Sequence, residues 1–295
     1  MADISLTQAP PQDAVRSAGY WQNVGARLLR DKTAMAAAAV LLILLLAAIF
    51  APLVAPLDPL DGRLTNRLKP IGTEGHWLGT DELGRDMLSR LIWGGRLSLL
   101  MGVTPVVLAF IIGSGVGIIA GYAGGWTNTI IMRTIDVFYA FPSVLLAVAL
   151  SGALGAGLGN ALLSLTVVFI PPIARVAESV TTRLRSSDFI EAARASGAGA
   201  MTIVRVHVLG NVLGPIFVYA TSLIAVSMIL ASGLSFLGLG VRPPNPEWGL
   251  MLNTLRTAIY VQPWVAALPG AMIFMVSISF NMLSDGLRSA MEVRQ

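Results

Sequence analysis

The chain has 295 residues, 55% of them hydrophobic and 12% charged, with a net charge of +4 and a mean hydropathy of +0.74. Soluble domains carry about 25% charged residues, so this composition describes a membrane protein. The absence of cysteine excludes disulfides, a thiolate nucleophile and a cysteine metal site, and no Lys/Arg-rich run of the kind that binds nucleic acid is present.

Residues 1–33 are polar, and the first 26 or so read as a loosely ordered tail. The apolar run that follows is too long for a cleavable signal and is expected to be a retained first transmembrane helix, 34–56. Arg27, Arg30 and Lys32 crowd its leading edge, whereas no basic residue follows until Arg63. The positive-inside rule therefore puts the N-terminus in the cytoplasm.

Residues 57–96 form an outer segment. His76, Asp81, Glu82 and Asp86 have metal-ligating side chains. However, the spacing of Leu83, Met87, Leu88, Leu91 and Ile92 predicts an amphipathic interfacial helix from Glu82 onward, on which these charges are structural. Trp77 and Trp93 are expected to anchor it at the membrane surface.

Residues 97–286 contain the remaining apolar runs. Gly113, Gly117, Gly121 and Gly125 recur every four residues, the spacing that lets helices approach closely in lipid. Span two is expected over 98–120, with a short inner turn at 121–128. Arg133 and Asp136 lie one helical turn apart and are expected to pair. A glycine-rich stretch at 151–159 separates spans three and four, and Pro171 and Pro172 should kink or end span four before Arg175 and Glu178. Span five is expected over 212–234, an outer or re-entrant loop over 235–248, and span six over 264–283. Residues 287–295 end the chain on the inner side. The fold class is thus an all-α polytopic membrane protein with six transmembrane helices.

The most polar interruption of the apolar half lies at 187–211, between spans four and five. Asp188 is a candidate N-cap and Glu191, three residues later, can complete a capping box. Ala192, Ala193 and Ala195 favour helix, and Gly197 can supply a left-handed turn into a second helix over 198–209. Residue types alone leave open an ordinary helical linker.

The chemistry this chain lacks is also informative. Its only lysines, Lys32 and Lys69, are not in a phosphate-binding loop, and no H-E-x-x-H, G-x-S-x-G or G-x-G-x-x-G motif occurs. Ionisable residues inside the spans are few and near their ends, unlike the buried relays of proton-driven carriers. Transport by a stand-alone channel or carrier remains an alternative. An intramembrane enzyme has almost no support among these residues.

Several motifs in order carry a specific resemblance. Glu191-Ala192-Ala193, Gly197 and the stretch His207–Leu209 resemble the EAA loop of permease subunits of binding-protein-dependent ABC importers. The 78–86 and 121–126 stretches, and Ser235-Phe-Leu-Gly-Leu-Gly240 with Trp248-Gly249, resemble the dipeptide/oligopeptide branch, and more narrowly its C-type permease. The similarity runs from about residue 30 to 288. It implies a type I ABC importer transmembrane fold and a coupling loop that includes Asp188, Glu191, Ala192, Ala193, Gly197, His207 and Gly210. It also implies a second homologous permease, two cytoplasmic ATPase subunits that hold ATP and magnesium, and a periplasmic or lipid-anchored substrate-binding protein. This chain is then expected to bind no cofactor and to be a multi-pass protein of the bacterial inner membrane, with both termini cytoplasmic. Gly210 stands where the wider family has proline, and His207 where it usually has an aliphatic residue. No residue is assigned to substrate binding: Ser277, Ser279 and Asn281 face the solute path in one rotation of span six and serve packing in another.

Overall fold

A computed structural model describes residues 20–291, which are overwhelmingly helical. The helices are α1 (Tyr20–Arg30), α2 (Lys32–Ile49), α3 (Ala51–Val54), α4 (Met87–Ala123), α5 (Gly125–Tyr139), α6 (Ser143–Leu154), α7 (Leu158–Arg185), α8 (Asp188–Ala195), α9 (Ala200–Ile203), α10 (Leu209–Phe236), α11 (Trp248–Thr254) and α12 (Pro263–Met291). Five stretches are long and apolar enough to cross a membrane, and α5 with α6 make a sixth, broken by an 86° bend. The break falls at Ala140–Pro142, where proline ends the hydrogen-bond ladder of α5.

At the N-terminal side, residues 20–30 are helical rather than part of a loose tail; residues 1–19 lie outside the described residues. Asp31 starts α2 by accepting hydrogen bonds from the Thr33 and Ala34 amides at 2.9 and 3.2 Å.

The outer segment departs most from expectation. No helix begins at Glu82; Asp86 is the cap, accepting from the Ser89 amide at 2.8 Å, and α4 then runs 37 residues through the whole of span two. Residues 80–86 form a loop around charge. The Asp81 carboxylate meets Arg85 Nε at 2.6 Å and Arg90 Nε at 3.1 Å, with all three residues buried. The Arg90 contact is close but misaligned, so it is electrostatic rather than a hydrogen bond. His76 Nδ1 lies 3.1 Å from Asp86 Oδ1. These acids are committed to internal partners, and no group of them is arranged to hold a metal among the described residues.

The core is the α4–α7 pair, and its glycines explain why the helices lie so close. A Cβ at Gly117 would come within 2.3 Å of the Ala174 carbonyl, and one at Gly121 within 2.8 Å of the Glu178 carbonyl. Gly125 does not continue this stripe. It has φ +52°, faces open space and, with Gly124 at φ +66°, turns the chain tightly from α4 into α5.

Further along, α7 continues through Pro171 and Pro172 without ending, which carries Arg175 and Glu178 inside one 28-residue helix. The Arg133–Asp136 pair is loose, at 4.0 Å, and Asp136 pairs instead with Arg175 across the α5–α7 interface. After α10, the chain does not simply loop out. Residues 237–247 turn back into the short helix α11, whose Trp248 is 1% exposed against α4.

Candidate functional site

The polar interruption folds as α8, joined by a tight turn to a second helical stretch. Ser187, not Asp188, takes the extended N-cap conformation, at φ −81° and ψ 147°. Its hydroxyl donates to the Leu184 carbonyl at 2.6 Å and so is unavailable to the helix. The expected capping box is therefore absent: Asp188 is the first helical residue, and neither its carboxylate nor that of Glu191 has a hydrogen bond or ion pair among the described residues. Both acids still lie in the first turn and Arg194 in the last, the arrangement that the helix dipole favours.

One residue nails α8 to the bundle. Ile190 is fully buried and belongs to the same apolar cluster as Ile203, Val208 and Val212, with Ala193 packed beside it. Burying an isoleucine side chain is worth about 1.5–3 kcal/mol. The opposite face carries Asp188, Phe189, Glu191 and Ala192, all exposed, and Phe189 is 45% exposed. Met201, just beyond the turn, is 78% exposed.

The turn itself is a Schellman motif. The Gly197 amide donates to the Arg194 carbonyl at 2.9 Å and the Ala198 amide to the Ala193 carbonyl at 3.1 Å. Gly197 has φ +83°, and nothing lies within 4 Å of where its Cβ would be. Glycine is required there by backbone conformation, not by space.

The second stretch is not a separate helix closed at Gly210. Residues α9, a π-helical turn at Val204–Val208 and α10 follow without a gap, and Gly210 lies exposed within α10. The π-turn absorbs one extra residue, shown by the Leu209 amide donating to the Val204 carbonyl. His207 lies in that turn, its ring 6.3 Å from Phe189, and its carbonyl accepts from Asn211 Nδ2 at 2.6 Å. The site thus brings together Phe189 and His207 across the turn.

Two links tie this end to α4. The Arg194 guanidinium lies over the Tyr122 ring at 5.5 Å, and Arg185 Nη1 donates to the Tyr122 carbonyl at 3.4 Å. Sequence reasoning missed Phe189, Met201 and the Arg194–Tyr122 stack. The available signal was a large apolar residue at a polar-face position of a short amphipathic helix. The path candidates are not brought together: Ser277 and Ser279 are buried, with Ser279 donating back to the Met275 carbonyl at 2.7 Å, while Asn281 is exposed.

Residues 113–294 match the family described as binding-protein-dependent transport system inner membrane component, and residues 19–70 match the N-terminal TM domain of oligopeptide transport permease C. The dipeptide transport system permease protein DppC of Alkalihalophilus pseudofirmus is 40% identical over 96% of this chain and 93% of that protein. The glutathione transport system permease protein GsiD of Pectobacterium atrosepticum is 40% identical over 92% of this chain and 90% of that protein. In fold, the chain resembles a solved chain of the inward-facing MetNI methionine ABC transporter, with a TM-score of 0.57 and 22% identity, over 69% of this chain and 97% of that one.

Fold and sequence together define a multi-pass permease subunit of an ABC importer, with the type I transmembrane fold. The chain belongs to the family of binding-protein-dependent transport system inner membrane components.

Proposed function

We propose that this permease forms half of a pathway for short peptides or peptide-like solutes, beside a second similar permease chain. The named solutes of its relatives, a dipeptide and glutathione, share a peptide backbone with free charged ends, and this supports the substrate class. Two cytoplasmic ATPase subunits supply ATP hydrolysis, for which this chain provides no catalytic group, and α8 docks in a groove of one of them. A substrate-binding protein delivers solute at the opposite, outer end. Both termini and α8 face the cytoplasm of the bacterial inner membrane in this arrangement, with Arg27, Arg30, Arg183 and Arg185 on that side.

The observation that carries the coupling role is the two-sidedness of α8. Ile190 and the α7 and α10 attachments hold it rigidly, while Phe189, Glu191 and Met201 stand exposed together. A helix gripped at both ends passes a push from a docked subunit into α7 and α10 as a rigid-body movement.

The test is reconstitution in liposomes of this chain alone, and of the complex with its co-purifying subunits. ATP-dependent dipeptide uptake by the complex only is expected. Uptake by the chain alone, indifferent to ATP, would identify a channel or carrier and overturn the reading. A partner binding protein with no affinity for peptides would remove the substrate class and leave the transporter standing.

A further inference from the structure

We propose that the groove between α2, α4 and α12 holds a glycerophospholipid of the bilayer, with its phosphate on Arg96 and an acyl chain laid along α2. This goes beyond the permease reading and does not depend on which solute is carried.

The groove exists because α2 packs tightly only at small residues. Its buried residues are Ala34 and Ala37 toward one end and Ala48 at the other, while Leu42, Leu45 and Ile49 stand exposed. Between those contacts, α2 over 38–49, α4 over 96–104, and Phe280 and Leu283 of α12 line a cavity of about 870 Å³. It is long rather than round, since its α2 wall alone runs about 16 Å. Apart from Arg96 and Thr104 every lining residue is apolar, and no acid is among them.

Its place in the membrane follows from α2 itself. The helices α2, α4 and α12 are each long and apolar enough to cross a bilayer. At 18 residues α2 has little length to spare, so its last carbonyls reach the membrane boundary. Arg96 is bonded to those carbonyls: Nε donates to that of Ala48 at 2.6 Å and Nη2 to that of Ile49 at 2.7 Å. Its guanidinium also lies 4.5 Å over the Trp93 ring, and tryptophan favours this boundary. The cation therefore stands at the headgroup end of the groove, and the leucines run from it toward the bilayer centre.

Charge at one end and hydrocarbon along the length is the pattern of a phospholipid. Arg96 has no carboxylate partner among the described residues, and its Nη1 is left for a phosphate. The two carbonyls, as the C-terminal end of a helix dipole, offset about half a charge at most. Neighbouring acids are engaged elsewhere. Asp58 accepts from the Leu60 amide and lines a separate groove with Trp93. Glu247 is buried among the Ser98, Gly249 and Leu250 donors, and Ser98, two residues on from Arg96, lies on another face of α4. An apolar helix of another chain would fill the leucine stretch and leave Arg96 without an anion, whereas a phospholipid supplies both parts.

The test uses the assembled transporter in detergent, stripped of lipid, with phosphatidylglycerol or a diacylglycerol of the same chains added back. Native mass spectrometry counts the molecules retained. It needs no transported solute, so its outcome is separate from that of the peptide reading. Wild type is expected to hold phosphatidylglycerol about tenfold more tightly than diacylglycerol. Arg96→Gln should remove that difference, and Arg96→Lys should keep part of it. Because Arg96→Gln also loosens α2, Leu100→Trp serves as a second variant that leaves Arg96 in place and fills the groove; it should lower retention of both lipids. Phosphatidylglycerol with a photoreactive group midway along one chain should attach within 38–49 or 96–104. Equal retention of phosphatidylglycerol by wild type and Arg96→Gln would overturn the proposal. Photoadducts elsewhere, or on a partner permease that covers this groove, would overturn it equally.

Discussion

Ser98, on α4, donates its hydroxyl to Glu247 Oε1 at 3.0 Å, and Ser98 Oγ itself accepts from the Trp248 amide, also at 3.0 Å. Residues 149 and 150 positions apart are thereby locked at the start of α11. Glu247 completes the knot by accepting from the Gly249 and Leu250 amides at 2.9 and 2.8 Å, and Trp248 Nε1 donates to the Leu91 carbonyl at 2.9 Å. The returning segment is pinned to α4 by this polar cluster as well as by apolar packing.

Removing that acceptor should be costly. Glu247→Ala loses the cap and strands three buried donors, so about 2 kcal/mol or more of stability is expected to go, and thermal unfolding in detergent checks it. Glu247→Gln keeps one acceptor oxygen and should be milder.

The same carboxylate carries a pH signature. Burial pushes Glu247 above the usual carboxylate range, against the opposing effect of its hydrogen bonds from Gly249, Leu250, Ser235 and Ser98. With the folded value raised, its stabilising contribution is complete below the unfolded value and disappears as pH rises through the folded one. Wild-type protein should therefore gain melting temperature relative to Glu247→Gln as pH falls from neutral toward the ordinary glutamate value, then level off. A difference that is flat with pH would refute this.

Asp81 is shared by two buried guanidinium groups. Asp81→Asn leaves Arg85 and Arg90 with an uncompensated buried charge, which typically costs about 3–5 kcal/mol. The expected result is a protein whose outer segment is cleaved readily by protease in membrane vesicles, while the wild type resists.

Along the α4–α7 seam, space decides the outcome. Gly117→Ala forces a Cβ against the Ala174 carbonyl and Ala177 and should separate the helices, with sharply reduced yield of folded subunit. Gly115→Ala, two residues away with nothing within 4 Å, should be neutral or slightly stabilising. Equal melting temperatures for the two variants would show that the seam is looser than its geometry.

Gly197→Asp separates backbone strain from coupling. The positive φ makes any L residue costly there by about 1–2 kcal/mol, but open space means no clash, so the subunit should still insert. Loss of co-purifying ATPase subunits, or hydrolysis without uptake, is expected. Retention of both functions would return residues 187–211 to the status of a linker.

What the sequence determined alone follows from local and additive causes. Long uncharged runs must be helices where no water can satisfy the backbone, so six spans were countable once 151–159 was seen to divide two of them. The four-residue glycine spacing announced a close helix pair, and Gly197 announced a left-handed turn, because each depends on one position's own chemistry. The EAA-like stretch pointed to the family only together with the 78–86, 121–126 and 235–249 motifs, in that order along the chain. Tertiary structure decided the rest. Ser187 rather than Asp188 precedes α8, since a one-residue shift of register costs little locally and burying Ile190 settles it. Gly210 stays helical because α10 packs on α4, α7 and α12, and tertiary packing outweighs a glycine penalty of about 1 kcal/mol. Asp136 prefers Arg175 to its neighbour Arg133, and Asp81 gathers two arginines, because ion pairing depends on which side chains the packed helices bring within a few ångströms. Sequence spacing has no access to that distance when the partners belong to different helices.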